Sequence, residues 1–215
     1  MNVVYDGPQD LPDVIPVFPL AGALLLPRGQ MPLNAFEPRY VQLVDAALRG
    51  PRLIGMVQPE GEAGTVPVPR LHRIGSVGRV VQFAETGDGR YIISLAGVSR
   101  FAIEAEMPVT TPFRQCRVSY APFAHDFKPR FGETEVNRDA VMSALLRYSE
   151  AAKLKIDWSG IEKAPNEALV NALSMMAPFG LREKQALLEA PDLKTRAETL
   201  VAIAEMEIAK TDAGS

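Results

Sequence analysis

Apolar positions in this chain follow two spacings, and the change between them divides it. Up to about residue 120 they fall in short runs or alternate with polar residues, as strands require. Beyond about residue 137 they recur three and four apart, as helices require. Val14–Phe18 reads as a short strand, placed at a sheet edge because Pro16 has no N–H to give a neighbour. Pro19–Gly22 is a turn, Ala23–Leu26 a second short strand, and Pro27-Arg28-Gly29 the turn that ends it. Gln30–Asn34 is extended. Pro38 suits the first turn of a helix, where its missing N–H costs nothing. Behind it Tyr40, Leu43, Val44, Ala47 and Leu48 share a helical face, and Gly50-Pro51 closes a helix over 38–49.

The pattern then returns to strands. Arg52–Val57 is one; residues 58–72, rich in Pro, Gly and Glu, read as an exposed loop. Ile74–Phe83 and Tyr91–Leu95 flank Gly87-Asp88-Gly89, whose glycines supply the positive φ of a hairpin turn. Gly97–Arg100 turns or bulges the chain, Phe101–Met107 alternates as a half-buried strand, and Phe113–Tyr120 is the last strand, with Cys116, Val118 and Tyr120 on one face. Helices follow at about 138–156, with Asn137 as N-cap, at 165–176, at 183–190, and at 193–210 with Asp192 as cap. Asp157-Trp158-Ser159-Gly160 reads as a linker. Strands followed by a run of helices predict an α+β protein. The division is a β subdomain over 13–122 and a helical subdomain over 133–210, with flexible ends at 1–12 and 211–215.

Composition changes this picture little. An apolar fraction of 47% and a charged fraction of 23% are those of an ordinary globular protein, and the net charge of -3 gives no global field toward nucleic acid or anionic membrane. Charge is uneven: residues 61–131 carry nine Arg or Lys against six acids, and residues 132–215 ten against fourteen. One cysteine, Cys116, rules out an internal disulfide, and the start of the chain lacks the basic region of a signal peptide. The run Val14–Leu26 is too short to span a bilayer. The expected compartment is the cytoplasm.

The segments together resemble the N-terminal, substrate-binding domain of the Lon protease family. Phe18-Pro19-Leu20 matches that family's strand, and Pro27-Arg28-Gly29 its Pro-Gly turn, with Arg28 and Gly29 where the family often has glycine and a hydrophobe. Pro32-Leu33-Asn34-Ala35-Phe36-Glu37-Pro38-Arg39-Tyr40 is the most specific match. Leu53-Ile54-Gly55, Gly75-Ser76-Val77-Gly78-Arg79, Gly87-Asp88-Gly89-Arg90, Leu95-Ala96-Gly97-Val98-Ser99-Arg100-Phe101 and Glu183–Glu189 follow in order. The resemblance implies a PUA-like β subdomain before the helical one. It implies a bacterial stand-alone module that binds protein or peptide clients in substrate recognition or quality control rather than cutting them.

Nothing in the residues supplies a reaction. There is no Gly-x-x-x-x-Gly-Lys-Ser/Thr loop for nucleotide phosphates, His72 and His125 stand far apart without ligand-spaced partners, and Cys116 sits among apolar neighbours as a core residue would. Glu104 and Glu106 read as a solvated strand face. No catalytic residue, cofactor or metal is expected, and the protein is not expected to be an enzyme. The motif residues read as scaffold, with Phe36 and Tyr40 in the core, each contributing about 1.5–3 kcal/mol by burial. Glu37, Arg39 and Trp158 are the candidate binding residues. The second reading is an RNA-binding PUA-like module using Arg70, Arg73, Arg79, Arg90, Arg100, Arg114 and Arg117. A membrane is not an expected partner and nucleic acid is the lesser expectation; the oligomeric state is not legible.

Overall fold

The computed structural model describes residues 3–61, 68–153 and 158–213, with the backbone alone at 158, 159, 162, 212 and 213. The chain separates into two units, Met1–Pro129 and Arg130–Ser215. The first holds β1 (Val14–Pro19), β2 (Gln30–Ala35), α1 (Pro38–Arg49), β3 (Leu53–Val57), β4 (Ile74–Glu85), β5 (Tyr91–Glu106) and β6 (Arg114–Ser119). The second holds α2 (Arg138–Ala151), α3 (Trp158–Lys163), α4 (Asn166–Met176), α5 (Leu181–Glu189) and α6 (Leu193–Ala213). The architecture is α+β, with one helix, α1, among the strands and the other α-helices after them.

The sheet has the order β2-β5-β4-β3-β1-β6, and β6 pairs back onto β5, so five of its six strands close into a barrel. β1 and β3 are parallel; the other pairs are antiparallel. The length of β5 makes closure possible. Residues 91–96 pair with β2, residues 102–106 with β6, and nearly the whole strand with β4. β1 is therefore not the edge that Pro16 suggested. Its residues 14–17 pair with β6 and 17–19 with β3, so Pro16 falls where only one side is paired and its missing N–H costs little. The barrel interior is filled by Ile15, Val17, Leu53, Val77, Phe101 and Cys116, all essentially without exposure. Leu11 is buried in the same core and Tyr5 packs against it, so the first residues are not the loose leader their polarity predicts.

Ala23–Leu26 is not a strand either. Leu24, Leu25 and Leu26 are buried, yet they pair with nothing in the sheet. The reason is a cross-strand glycine pair, Gly78 on β4 opposite Gly97 on β5. A Cβ at Gly78 would lie 2.6 Å from Leu25 Cδ2, and one at Gly97 would lie 2.1 Å from the Leu26 carbonyl oxygen. Two absent side chains open a trench, and the leucine run lies in it. Arg28 donates its backbone N–H to Gly97 O (2.8 Å) and Gly97 donates to Gly29 O (2.8 Å), which pins the turn. At 97–100 β5 bulges rather than turns: Val77 faces Ser99 and Gly78 faces Gly97, leaving Val98 extra.

α1 forms where periodicity places it and buries Tyr40, Leu43, Val44 and Ala47. Tyr40 stacks on Phe18, with ring centroids 3.9 Å apart, and donates its hydroxyl hydrogen to Pro19 O at 3.4 Å. Phe36 does not join it. Leu33 and Ala35 take the inward positions of β2, alternation sends the next residue outward, and Phe36 is 62% exposed. The segment 58–72 is only partly the exposed loop expected. Gln58 is buried and accepts a hydrogen bond from the Gly22 N–H (3.0 Å), Pro59 bridges Leu71, and residues 62–67 lie outside the description.

In the second unit Asn137 caps α2 through Ala140 N–H (3.1 Å) and Asp192 caps α6 through Thr195 N–H (2.7 Å). α2 ends at Ala151, before the expected 156, and Trp158–Gly160 begin a short helix instead of a linker; Asp157 lies outside the description. Arg138 joins these elements by donating to the carbonyls of Ile161 (2.9 Å) and Ala164 (2.9 Å). α2, α4 and α5 all pack on α6, the longest helix.

Two outcomes follow from this packing. Tyr40→Ala should cost about 3–5 kcal/mol, because it empties the ring's place against Phe18, whereas Phe36→Ala should stay within about 0.5 kcal/mol of wild type. Urea unfolding of both variants checks the contrast. Gly97→Ala should lower stability by about 1–3 kcal/mol or more, since backbone and not a side chain must yield; the same titration, with Gly87→Ala at the exposed hairpin tip compared, measures it.

Candidate functional site

Seven of the motif residues singled out in the sequence settle into three places in or against the core. Phe18, Pro19 and Tyr40 form the aromatic stack under α1; Gly78 and Gly97 line the leucine trench; Arg100 and Phe101 are buried on β5. Leu20 is partly exposed, and Pro32 is exposed on β2. Glu37 and Arg39 close on each other, Nε to Oε2 at 2.9 Å, with the Arg39 guanidinium 4.6 Å from the Tyr40 ring centre. Both are about half exposed, and such a pair contributes within about 1 kcal/mol. Glu37 begins α1 without a side-chain capping bond. The two candidate binding residues are thus engaged locally. The side chain of Trp158 lies outside the described residues.

The arginines offered for RNA divide between carboxylate partners and one cleft, which Arg70, Arg73 and Arg114 line together. Arg100 is buried and forked onto Asp126, Nη2–Oδ1 at 2.8 Å and Nε–Oδ2 at 2.9 Å. Arg114 binds Glu106 (Nη2–Oε2 2.6 Å), a hydrogen bond that lowers the Glu106 pKa, and Arg90 pairs with Asp88 at the hairpin tip (3.1 Å). Three of the seven arginines offered for RNA are thereby matched by carboxylates. Cys116 is fully buried, and desolvation pushes its thiol up to about 11, so it holds no reactive thiolate near neutrality. Among the described residues no group of three or more His, Cys, Asp or Glu could hold a metal, and no helix is long and apolar enough to cross a membrane.

What opens outward is the arm formed by β2, β5 and the second half of β4. β3 pairs with β4 only from Ser76 to Arg79, and Val80 N–H reaches Arg52 O at 2.8 Å. Residues 81–85 then have β5 on one side and no strand on the other among the described residues. All five are exposed. This edge carries Val81 (48% exposed) and Phe83 (44%) and contains no proline. A further free edge among the described residues, β2, is blunted by Pro32. Val81 is the extra residue of a bulge, since Val80 faces Leu95 and Gln82 faces Ser94. Phe83 rests edge-on against Tyr91 (4.9 Å), whose hydroxyl donates to Asp45 Oδ1 at 3.1 Å, a bond that raises the Tyr91 pKa. Ile92 on β5 and Phe36 beyond β2 are exposed on the same arm.

Beside this arm lies a cleft of about 580 Å³, lined by Arg28, Arg52 and Arg79, by Val81, Ala96 and Val98, by Tyr5, and by Asp6 and Asp126. A second cleft, of about 460 Å³, lies against Arg70, Arg73 and Arg114, with Glu60 and Glu106 among them. The β4 edge lies outside the sequence motifs, and the first cleft draws Arg28, Arg79, Ala96 and Val98 from three separate motifs, none of which announces a cleft by itself. The available signals were Val80-Val81, a doubled apolar pair inside an alternating strand, and the Pro-Arg pairs at 27–28 and 51–52, which place a cation in a turn.

Comparison with known proteins agrees with this architecture. The profile of the ATP-dependent protease La (LON) substrate-binding domain matches residues 14–205. Lon protease of Dictyoglomus thermophilum is 27% identical over 215 residues, covering 93% of this chain and 25% of that protein. Lon protease 2 of Myxococcus xanthus is 26% identical over 194 residues, covering 87% and 23%. The chain spans about a quarter of the length of these curated relatives. Two solved structures share its fold. A Lon N-terminal domain protein from Xanthomonas campestris has a TM-score of 0.63 and 22% identity, covering 88% of this chain and 97% of that one. The N-terminal domain of Mycobacterium avium complex Lon protease has a TM-score of 0.65 and 18% identity, covering 89% and 98%. With its barrel, its helical unit and a profile match across nearly its whole length, the chain belongs to the LON substrate-binding domain family.

Proposed function

We propose that this protein is a non-catalytic polypeptide-binding module that captures unfolded or extended segments of protein clients at the open edge of β4, in client recognition for protein quality control. The observation that carries the reading is the edge itself: on the side away from β5, residues 81–85 have no strand beside them among the described residues, the stretch holds no proline, and Val81 and Phe83 are exposed. An extended segment can add there as a further strand, main chain to main chain, while Val81 and Phe83 offer apolar contact. Such recognition is broad, because most of the bonding is to backbone. That suits a family defined by substrate binding. The reading places the protein in the cytoplasm, which the single buried cysteine suits.

The test is binding of a fluorescently labelled, reduced and carboxymethylated protein, followed by anisotropy. Val81→Asp/Phe83→Asp should weaken binding about tenfold, roughly 1.4 kcal/mol, while the melting temperature falls by only a few degrees, because both side chains are half exposed and Phe83 gives up its contact with Tyr91. Leu146→Asp, at an exposed position of the helical unit, should bind as wild type. Equal binding by all three proteins would refute the edge as the docking site.

A further inference from the structure

Two arginines of the cleft next to the β4 edge stand at strained backbone positions. Arg28 has φ +65° and Arg52 φ +62°, the left-handed region where glycine is the ordinary occupant and an L side chain is strained. Arg130 and Lys153 take the same region in the helical unit, so the conformation by itself assigns nothing. What sets Arg28 and Arg52 apart is convergence: both line one cleft, with Arg79 as a third cation. Arg79 gives Nη1 to Tyr5 Oη (3.1 Å) and to Pro51 O (2.9 Å), and Arg28 gives Nη1 to Asp126 O (2.7 Å). Arg52 makes no side-chain hydrogen bond or ion pair among the described residues. The carboxylates in the lining are Asp126, already engaged by Arg100, and Asp6. The cleft therefore has an excess of positive charge, walled by Val81 and Val98.

Position fixes what this charge meets. A segment added along residues 81–85 lies on the same side of β4 as β3 and in line with it. β3 begins beside Arg52, whose carbonyl takes the Val80 N–H. The free edge stops there. If the added strand runs antiparallel to β4, as β3 does, its C-terminal end arrives at Arg52. Val81 belongs both to the edge and to the cleft wall, so the two surfaces are continuous. We infer that the cleft receives a carboxylate at the C-terminal end of the docked segment. The protein would then prefer clients in which an extended apolar stretch ends in an acidic side chain or in the chain terminus. The assignment rests on the reading of β4 as a docking edge.

Short labelled peptides of alternating Val, Phe and Thr test it by anisotropy in three versions: a final Glu with an amidated terminus, a final Gln with a free terminus, and a final Gln with an amidated terminus. At least one carboxylate version should bind about fivefold or more tighter than the neutral one at low ionic strength, with the gain shrinking at about 0.3 M salt. The version that gains tells side chain from terminus. Arg52→Gly should abolish the gain, keep the neutral peptide's affinity, and leave the melting temperature unchanged or higher, because glycine accepts φ +62°. Equal affinity of all three peptides overturns the cleft assignment while the docking edge stands. Failure of every peptide to bind refutes the docking edge and this assignment with it. A lower melting temperature in Arg52→Gly shows a structural arginine and overturns the assignment. Displacement of the carboxylate peptides by inorganic phosphate or a single-stranded oligonucleotide at lower concentration than by unlabelled peptide overturns the choice of occupant.

Discussion

The interaction on which the first unit depends is the fork between Arg100 and Asp126. Both side chains are out of water, at 1% and 5% exposure. Asp126 takes two bonds from the guanidinium and one from the Arg100 backbone N–H, at 2.8–2.9 Å. The guanidinium also lies 4.4 Å from the centre of the Phe123 ring. Two buried charges are expensive singly and tolerable together, so such a pair fixes arrangement more than it adds stability; losing one partner typically costs about 3–5 kcal/mol. Here it fastens the segment that follows β6 back onto β5. The Asp126 carbonyl then holds Arg28, and the Arg28 backbone holds Gly97. The cleft, the leucine trench and the end of the barrel strand all hang from one ion pair.

Much of this fold was legible because it is local. The helix at 38–49 was announced by its apolar face, by Pro38 at its start and by Gly50-Pro51 at its end. The hairpin was announced by Gly87 and Gly89, both at positive φ. What could not be read depends on partners distant in sequence. Arg100 stood both among the scaffold residues of the motif and among the cations offered to RNA, because the carboxylate that neutralises it stands 26 positions on. The leucine run looked like a strand, because only the register of Gly78 opposite Gly97 shows that it lies across the sheet. Phe36 is a different miss: the alternation Leu33, Ala35 was in the sequence, and its parity already pointed the ring outward.

The candidate site was harder still. Its residues carry no motif, since a docking edge is defined by which neighbour is absent. β4 outlasts β3 by several residues, and that difference in length, with the bulge at Val81, produces the open arm. Chain length on either side of a turn sets it, not the identity of any side chain. The motif residues, by contrast, mark the scaffold: an aromatic stack, a glycine trench, a buried arginine.

An edge that accepts another chain does not ask whose chain it is. The strip at Val81–Glu85 offers the same backbone groups and the same apolar side chains to a second copy of the protein as to anything else. Glu85 at its end and the polar Gln82 between Val81 and Phe83 are the only brakes that the strip itself provides. If the strip is the docking edge proposed above, solubility and recognition draw on the same few residues. On that proposal, changes that make the strip stickier would raise self-association along with capture, and its modest apolar content would mark the compromise between holding a partner and remaining dispersed.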